Sequence, residues 1–213
     1  MSSLKDIRTD YTKSSISIEN LKQCPAEQLN LWVEEASRAG VKDANAFCLS
    51  TINRLGFPTG RIVLARQIDV NGVVFYTNKN SAKGKELESM SKAGLTFFWP
   101  QMQRQVRLSG KVIQIDEFEN DKYFSSRPRG SQIGAWASSQ SEELVSRDEL
   151  DAKHSHFEEK FQDFKSIPRP PHWGGYRISI EEIEFWQGRP SRLHDRVKYL
   201  KQQDVWEKRL LQP

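Results

Sequence analysis

Three side chains that can carry positive charge recur at every second position near the end of the sequence: Arg192, His194 and Arg196. Alternate side chains of a β-strand share a face, so we predict that a strand over residues 192–200 presents these three together. Cations on one face repel each other unless a phosphate or an electron-rich ring lies against them. A solvent-exposed edge strand with salt bridges is the alternative.

A second group of basic residues flanks a proline. Arg127 and Arg129 lie on either side of Pro128, and Gly130 and Ser131 follow. Proline fixes the backbone and glycine allows close approach, so this segment could form an anion-binding loop. Charged loops are common, and an ordinary surface loop is the alternative interpretation.

Three further segments could contribute to a site for an anion or a flat ring. Lys83 falls in the first turn of a helix that Ser81 can cap, and a helix N-terminus favours phosphate. Residues 61–66 form a strand candidate with an arginine at each end. Trp186 lies at an apolar strand end, two residues before Gly188. It could form a wall against a flat cofactor, although an apolar strand end next to glycine is usually explained by core packing.

Composition excludes several classes of protein. The chain has 213 residues and a net charge of +4 that is scattered along it, so a nucleic-acid-binding arm is not indicated. The polar N-terminal residues predict no secretory signal, and no stretch is apolar enough to predict a membrane span. Cys24 and Cys48 match no zinc spacing and predict reduced thiols in a cytoplasmic protein. His154 and His156 diverge on a helix, so we predict no metal site.

Most of the predicted elements are short strands. We expect helices beginning near Pro25, Ser81, Asp116 and Ser146, the last with Glu149 in a capping box. Asn71-Gly72 predicts a hairpin turn. The predicted strands cover residues 46–52, 61–68, 73–77, 95–99, 105–115, 175–180, 183–187, 192–200 and 205–210. This pattern is typical of a mainly β protein, a small barrel with helices at its edges.

Two long motifs resemble those of the pyridoxine 5′-phosphate oxidase family. They read R-P-R-G-S-Q-I-G-A-W-A-S-S-Q-S over residues 127–141 and I-E-F-W-Q-G-R-P-S-R-L-H-D-R over residues 183–196. Shorter matches are R-T-D-Y-T-K at residues 8–13, G-R-I-V-L at 60–64, V-F-Y-T-N at 74–78 and R-Q-V-R at 104–107. The resemblance covers nearly the whole chain.

The resemblance implies an FMN-binding split barrel that forms a homodimer, with FMN at each end of the interface. It implies a flexible arm or lid over residues 1–23 and a single domain over residues 24–213 that includes a C-terminal dimerisation region. The implied cofactor-binding residues are Arg61, Ile62, Val63, Leu64, Arg66, Tyr76, Thr77, Lys83, Gln105, Gln140, Ser141, Trp186 and Arg196. The implied substrate-binding residues are Arg8, Tyr11, Arg66, Tyr123, Arg127, Ser131, Arg192 and His194, of which Arg192 and His194 would be catalytic.

The implied reaction oxidises pyridoxine or pyridoxamine 5′-phosphate to pyridoxal 5′-phosphate. A hydride would pass from the substrate's 4′ carbon to the flavin, and dioxygen would be reduced to hydrogen peroxide. One alternative is a related split-barrel flavoenzyme that acts on another ring, such as a phenazine precursor. Another is a non-catalytic protein that binds flavin or pyridoxal phosphate.

Two positions depart from the family's usual pattern. Arg66 ends a strand where lysine is usual, and Ala82 stands where the helix usually carries an arginine. A planar guanidinium is not equivalent to an ammonium. The loss of one charge-assisted hydrogen bond to phosphate corresponds to about 10- to 100-fold in affinity, so we expect FMN binding to be weaker than is usual in the family.

Overall fold

The computed structural model describes Lys5 and residues 10–203 and 205–213. Arg8, which the resemblance implies as a substrate-binding residue, lies outside the described residues. The helices are α1 (Pro25–Arg38), α2 (Ala82–Ser89), α3 (Glu117–Ser125), α4 (Arg129–Ala137) and α5 (Arg147–Lys160). The strands are β1 (Ala46–Ile52), β2 (Pro58–Leu64), β3 (Gln67–Asp69), β4 (Gly72–Asn78), β5 (Lys92–Trp99), β6 (Arg104–Gln114), β7 (Trp173–Ile178), β8 (Glu182–Gln187), β9 (Asp195–Gln202) and β10 (Val205–Leu210).

The strands form one curled, antiparallel sheet. Along its main path the order is β10-β9-β8-β6-β5-β1-β2, and β7, β4 and β3 continue it from the far end of β6. The long strand β6 belongs to both parts, because its first half pairs with β8 and its second half with β7. Gly110 lies where the pairing changes, and a side chain there would overlap the Ser179 carbonyl oxygen. The predicted barrel is thus confirmed as a half-barrel with flanking helices.

Helix α1 fills the concave side of the sheet. It begins at Pro25, a favoured first helical residue, and stops before Gly40, whose φ of +79° suits glycine. Trp32 on its buried face packs edge-on against Phe185 and Trp99, with ring centroids 5.1 and 6.4 Å away. Burial of these rings and of their neighbours from β1, β4 and β5 holds the barrel closed on this side.

A smaller apolar cluster lies outside the barrel. It joins the ends of helices α3, α4 and α5 to strand β7 through Phe124, Ile133, Phe161, Ile167 and Trp173. This cluster fixes the segment between α3 and α4, where the basic residues around Pro128 lie. None of the helices within the described ranges is both long and apolar enough to cross a bilayer.

The predicted strand over residues 61–68 is wrong, because the chain changes neighbours in its middle. Strand β2 ends at Leu64, where Ala65 donates its amide to the Asn45 carbonyl beside β1. The next amide, that of Arg66, bonds to Val74 in β4. The short strand β3 then pairs with β4, so Arg66 lies at the crossing between the two parts of the sheet.

The predicted strand over residues 192–200 is also wrong at its start. Pro190 opens a single helical turn, which the Leu193 amide closes by bonding to the Pro190 carbonyl at 3.1 Å. Ser191 and Arg192 adopt φ angles of 57° and 61°, and β9 begins only at Asp195. The alternation of faces therefore does not apply to Arg192 and His194, and the three cations do not share one face of a strand.

Candidate active site

A cleft of about 710 Å³ lies between strands β2 and β4 and helices α2 and α4. Ligand sites commonly have volumes of about 300–1,000 Å³, so the cleft can hold a cofactor together with a small substrate. Twelve residues implied by the resemblance line it: Arg61, Ile62, Val63, Leu64, Arg66, Tyr76, Thr77, Lys83, Arg127, Ser131, Gln140 and Ser141. The fold thus gathers residues that are up to 80 positions apart, from Arg61 to Ser141, into one cavity.

The Lys83 ammonium is buried in the cleft wall. Ser81 caps α2 by accepting the Gly84 amide at 3.4 Å, which places Lys83 in the first turn. Its Nζ donates to Gln140 Oε1 at 2.9 Å, Ser81 Oγ at 3.1 Å and Thr77 Oγ1 at 3.3 Å. All three acceptors are uncharged, and no carboxylate of the described residues lies within 4.0 Å of Nζ. Burial, with a smaller effect of Arg61, lowers the pKa of Lys83.

Arg61 lines the same part of the cleft but already has an anionic partner. Its Nη2 lies 3.0 Å from Glu86 Oε2 and 2.8 Å from Thr59 Oγ1. Burial alone would raise the pKa of Glu86, but hydrogen bonds from Thr51, Thr59 and Arg61 lower it. Glu86 therefore offsets much of the Arg61 charge. Sequence reasoning missed Glu86, since no local pattern links it to Arg61 on a strand three elements earlier.

Arg127 forms a second cationic group of the cleft. Its guanidinium carbon lies 4.7 Å from the centroid of the Trp173 ring and 5.5 Å from that of Phe124. Nη1 is buried and has no hydrogen-bond partner within the described part of the chain. Burial lowers the pKa of Arg127, and Arg66 contributes in the same direction. A buried guanidinium nitrogen without a partner is costly unless an anion binds it.

Aromatic stacking holds the surroundings of Arg127 in place. The Tyr123 ring stacks on Tyr76 with centroids 4.0 Å apart, and Tyr76 stacks on Trp173 at 5.2 Å. Ser131 lies in the first turn of α4, where the helix N-terminus adds a positive potential. Helix α4 itself was not predicted, because Pro128 offers no capping side chain and two glycines interrupt the apolar pattern.

Besides Tyr11 and Tyr123, five of the described site residues implied by the resemblance do not line the cleft: Gln105, Trp186, Arg192, His194 and Arg196. Gln105, Trp186 and Arg196 are direct cross-strand neighbours on β6, β8 and β9. The His194 ring lies 4.6 Å from that of Trp186. A single chain therefore separates the implied site into a cleft and a second group.

A buried carboxylate organises the second group. Glu184 accepts hydrogen bonds from Arg196 Nε at 2.9 Å and Nη2 at 3.1 Å, and from Arg107 Nη2 at 2.6 Å. Burial would raise the pKa of Glu184, but these bonds lower it. Arg196 also donates from Nη1 to the Gln212 carbonyl at 2.7 Å. Glu184 lies within the second long motif, yet its type alone did not distinguish it from a surface charge.

The surroundings of His194 favour its neutral form. Burial, followed by the charge of Arg192, lowers the pKa of the His194 ring from its usual value. Nδ1 accepts the backbone amide of Arg189 at 3.1 Å. The neutral ring therefore carries its proton on Nε2, where it can be donated. The lowered pKa makes His194 a weaker contributor of positive charge than the two arginines that flank it in the sequence pattern.

The described part of the N-terminal arm packs beside the second group. The Tyr11 ring lies 5.8 Å from both Trp186 and His194. It also covers Gly188, where a Cβ atom would lie 2.7 Å from the ring. The amides of Lys13 and Ile16 bond to the side chains of Gln103 at 3.1 Å and Asp195 at 2.9 Å.

The fold and the cleft define a split-barrel protein with cationic sites for anions. Residues 33–161 match the family model described as pyridoxamine 5′-phosphate oxidase. Residues 173–213 match a second model, described as the pyridoxine 5′-phosphate oxidase C-terminal dimerisation region. The chain therefore belongs to the pyridoxamine 5′-phosphate oxidase family, which confirms the resemblance seen in its motifs.

Full-length relatives carry names of the same kind. The chain is 48% identical to pyridoxine/pyridoxamine 5′-phosphate oxidase 1 of Ralstonia nicotianae, over 96% of this chain and 95% of that protein. It is 46% identical to the pyridoxine/pyridoxamine 5′-phosphate oxidase of Synechocystis sp., over 99% of this chain and 98% of that protein. The crystal structure of PhzG from Burkholderia lata with tetrahydrophenazine-1-carboxylic acid is similar at a TM-score of 0.87 and 31% identity, covering 95% of this chain and 100% of that one.

Proposed function

We propose that this protein oxidises pyridoxine 5′-phosphate or pyridoxamine 5′-phosphate to pyridoxal 5′-phosphate, with FMN as cofactor and dioxygen as electron acceptor. One observation carries the proposal: a single cleft contains two separate cations, Lys83 and Arg127, that have only uncharged partners or none. Two phosphorylated ligands, a cofactor and a substrate, would satisfy both. Relatives that share close to half of the sequence over its whole length bear the name of this activity.

The Lys83 side of the cleft fits the cofactor's phosphate. Lys83 supplies a buried ammonium, Gln140 and Ser141 supply polar groups beside it, and α2 contributes its N-terminus. The backbone of residues 62–64 would then lie along the flat ring. When bound, FMN would accept the hydride from the substrate and pass the electrons on to dioxygen.

The Arg127 side fits the phosphate of the substrate. A guanidinium can bind phosphate through two parallel hydrogen bonds, and the free Nη1 offers one of the donors. Tyr123 and Ser131 lie on adjoining elements and would complete the contact. Because Tyr76, Tyr123 and Trp173 stack on each other, the guanidinium is held before the substrate arrives.

We further propose that two chains combine to form each site. Trp186, Arg192, His194 and Arg196 do not line the cleft of their own chain, yet all four lie in the segment that matches a dimerisation-region model. The outer face of the sheet also exposes apolar side chains, with Ile62 and Phe98 accessible to 68% and 53%. A partner that covered this face would bury it and bring its second group to the cleft.

In such a dimer, His194 and Arg192 of one chain would orient the reacting group over the ring in the cleft of the other. The neutral His194 would present Nε2–H to the substrate's 4′ hydroxyl or amine. Arg192 would add a fixed positive charge beside it. Cys24 and Cys48 are both free thiols, in keeping with the cytoplasmic location that we propose.

The test is an absorbance scan of the purified, flavin-loaded protein without oxygen. Pyridoxamine 5′-phosphate should bleach the flavin band, and readmitted oxygen should restore it with release of hydrogen peroxide. Unphosphorylated pyridoxamine should act only at far higher concentration. A yellow protein that no B6 phosphate bleaches would instead favour a non-catalytic flavin binder.

A second candidate is an oxidase of another ring system, which the similarity to PhzG favours. The Arg127 group argues against it, because a phenazine precursor has no phosphate for the unpaired Nη1. The same scan with a reduced phenazine carboxylate separates the two candidates. Faster bleaching by that compound than by pyridoxamine 5′-phosphate would reverse the assignment.

A further inference from the structure

A second cavity, of about 390 Å³, adjoins the cleft on the side of α2. The two cavities share Ala82, Gln140 and Ser141 as walls, so they meet beside the Lys83 group. Ala82 is exposed and leaves the junction open. Arg54 and Lys85 line the second cavity and add two positive charges to the space that adjoins the junction.

Among the described residues, neither the Arg54 nor the Lys85 side chain has an ion-pair or hydrogen-bond partner. Throughout the described ranges, no carboxylate lies within 4.0 Å of the Arg54 or Lys85 side chain, and neither side chain donates a hydrogen bond. Two carboxylates also line the cavity. Glu86 is bound by Arg61 and two threonines, whereas Glu142 is exposed on the loop after α4.

The positions of both residues suit a ligand at the junction. Lys85 follows Ala82 by three residues, so both lie on the same face of α2. Helical side chains lean towards the N-terminus, so Lys85 can cover the surface that the small Ala82 leaves bare. Arg54 projects from the turn between β1 and β2, which the Gly56 amide helps close by bonding to Asn53.

The charges near Lys83 indicate how a phosphate bound at the junction would gain from further cations. A phosphate monoester carries a charge of about −1.5 to −2 at neutral pH. Within the cleft Lys83 offers one positive charge, while Arg61 is already paired with Glu86. Lys83 alone therefore leaves part of the charge of the dianion unmatched. Arg54 and Lys85 line the adjoining cavity, and neither has a carboxylate partner among the described residues.

We propose that Arg54 and Lys85 complete the subsite for the cofactor's phosphate monoester and bind it from the side that Ala82 leaves open. This inference rests on the proposed function, because it takes the phosphate to lie beside Lys83. It assigns to two exposed residues the role that an arginine at position 82 would otherwise fill.

The test titrates the full-length protein, stripped of flavin, with FMN and with riboflavin by fluorescence quenching at low salt. Lys85→Gln and Arg54→Gln should each weaken FMN binding about threefold, as expected for exposed ion pairs, and the double variant about tenfold. Riboflavin affinity should stay constant, which also shows that the variants fold. Glu142→Gln should act in the opposite direction and strengthen FMN binding.

Two further variants sharpen the result. Lys42→Gln removes an exposed lysine that does not line the cavity, and it should leave both affinities unchanged. Ala82→Arg should strengthen FMN binding about tenfold or more, as for a charge-assisted hydrogen bond. In the Ala82→Arg variant, Lys85→Gln should weaken FMN binding less than it does in the natural sequence, because Lys85 and the introduced arginine bind the same phosphate.

The outcomes separate this inference from the proposed function. If FMN binds more tightly than riboflavin but Lys85→Gln and Arg54→Gln behave like Lys42→Gln, the inference is wrong and the phosphate site at Lys83 stands. If FMN and riboflavin bind the natural protein equally, the phosphate does not lie there. The proposed placement of the cofactor and the inference then both fail.

Discussion

Arg127 shows how a single residue can be unfavourable for stability and suited to binding. Its guanidinium lies on two aromatic faces, which provides a favourable cation–π contact. Its buried Nη1 has no partner in the described part of the protein. Such a donor costs about 1–3 kcal/mol, and a bound phosphate would offset that cost.

Arg127→Met should therefore separate stability from substrate binding. Methionine keeps the contact with the aromatic rings and removes the unpaired donor, so the melting temperature should stay level or rise. The KM for pyridoxamine 5′-phosphate should rise about 10- to 100-fold, the equivalent of one charge-assisted bond. Thermal unfolding and steady-state kinetics measure the two effects.

Arg129→Met provides the matched control. The Arg129 side chain is satisfied, since it donates to the Phe161 and Phe164 carbonyl oxygens. Its loss should lower the melting temperature and leave KM nearly unchanged. An Arg127→Met variant that is less stable and keeps its KM would contradict the phosphate role.

The lowered pKa of Lys83 predicts that FMN binding depends on pH. Burial, reinforced by Arg61, lowers its pKa from the usual 10.5, so the ammonium loses its proton at a lower pH than an exposed lysine does. FMN affinity should fall as the pH rises through that lowered pKa, while riboflavin affinity stays level. Titrations with both ligands at a series of alkaline pH values measure this. In Lys83→Gln the FMN curve should be flat from a weaker starting value, and an unchanged curve would remove Lys83 from the phosphate site.

At the scale of elements, three neighbouring strands share one ion network around a buried carboxylate. Glu184 on β8 bonds to Arg107 on β6 and Arg196 on β9, so the carboxylate ties the strands together on their outer face. The removal of one partner from a buried network leaves the other charges uncompensated. The position of Arg196 therefore depends on Glu184 as well as on its own strand.

Glu184→Gln should lower the free energy of unfolding at pH 7 by about 2–4 kcal/mol, less than for full loss of a buried partner because the amide still accepts a hydrogen bond. The carboxyl pKa lies below 4.5 in the folded state, so its contribution is complete above that pH. It is lost as the pH falls through the lowered pKa. Denaturant titrations should thus show natural protein and variant converging at acid pH. A constant difference at all pH values would contradict the ionic explanation.

The elements show where sequence reasoning succeeds. Helices with a capping side chain, such as Ser81 or Asp116, begin at the predicted residues because the signal is local. Strand β1 matches its predicted bounds, residues 46–52, since alternation and burial agree there. Helix α4 and the turn at Ser191 were missed, because neither has a local signal and tertiary contacts impose both.

The candidate site likewise has residues that the sequence predicts and residues that only the fold reveals. The motifs identified twelve of the residues that line the cleft, since residue type and resemblance both pointed to them, but they did not identify Trp173. The roles of Glu86 and Glu184 depend on partners that are distant in the sequence, at Arg61 and Arg107. Only the fold brings those pairs together, so residue type alone could not reveal them.

At the scale of the molecule, the proposed site shared by two chains can be tested by complementation. Chains carrying Arg127→Met have a defective cleft, and chains carrying His194→Gln have a defective second group. In a mixed dimer one of the two sites would combine the intact cleft with the intact second group. Random pairing would give half mixed dimers, so about a quarter of the natural activity should return.

Co-expression with two different affinity tags allows the mixed dimer to be purified and assayed. Each variant expressed alone provides the control for residual activity. A mixed dimer no more active than the average of its parents would mean that Arg127 and His194 act within one chain. That result would overturn the shared site and leave the cleft itself untouched.

Strand β4 carries the two consecutive residues Tyr76 and Thr77, which serve different parts of the cleft. Tyr76 supports the aromatic stack around Arg127, and Thr77 bonds to the Lys83 ammonium. A β-strand cannot stretch, since its rise is about 3.3 Å per residue. The strand therefore fixes the distance between the two proposed anion sites, so that ligands would be selected by the separation of their charges as well as by the charges themselves.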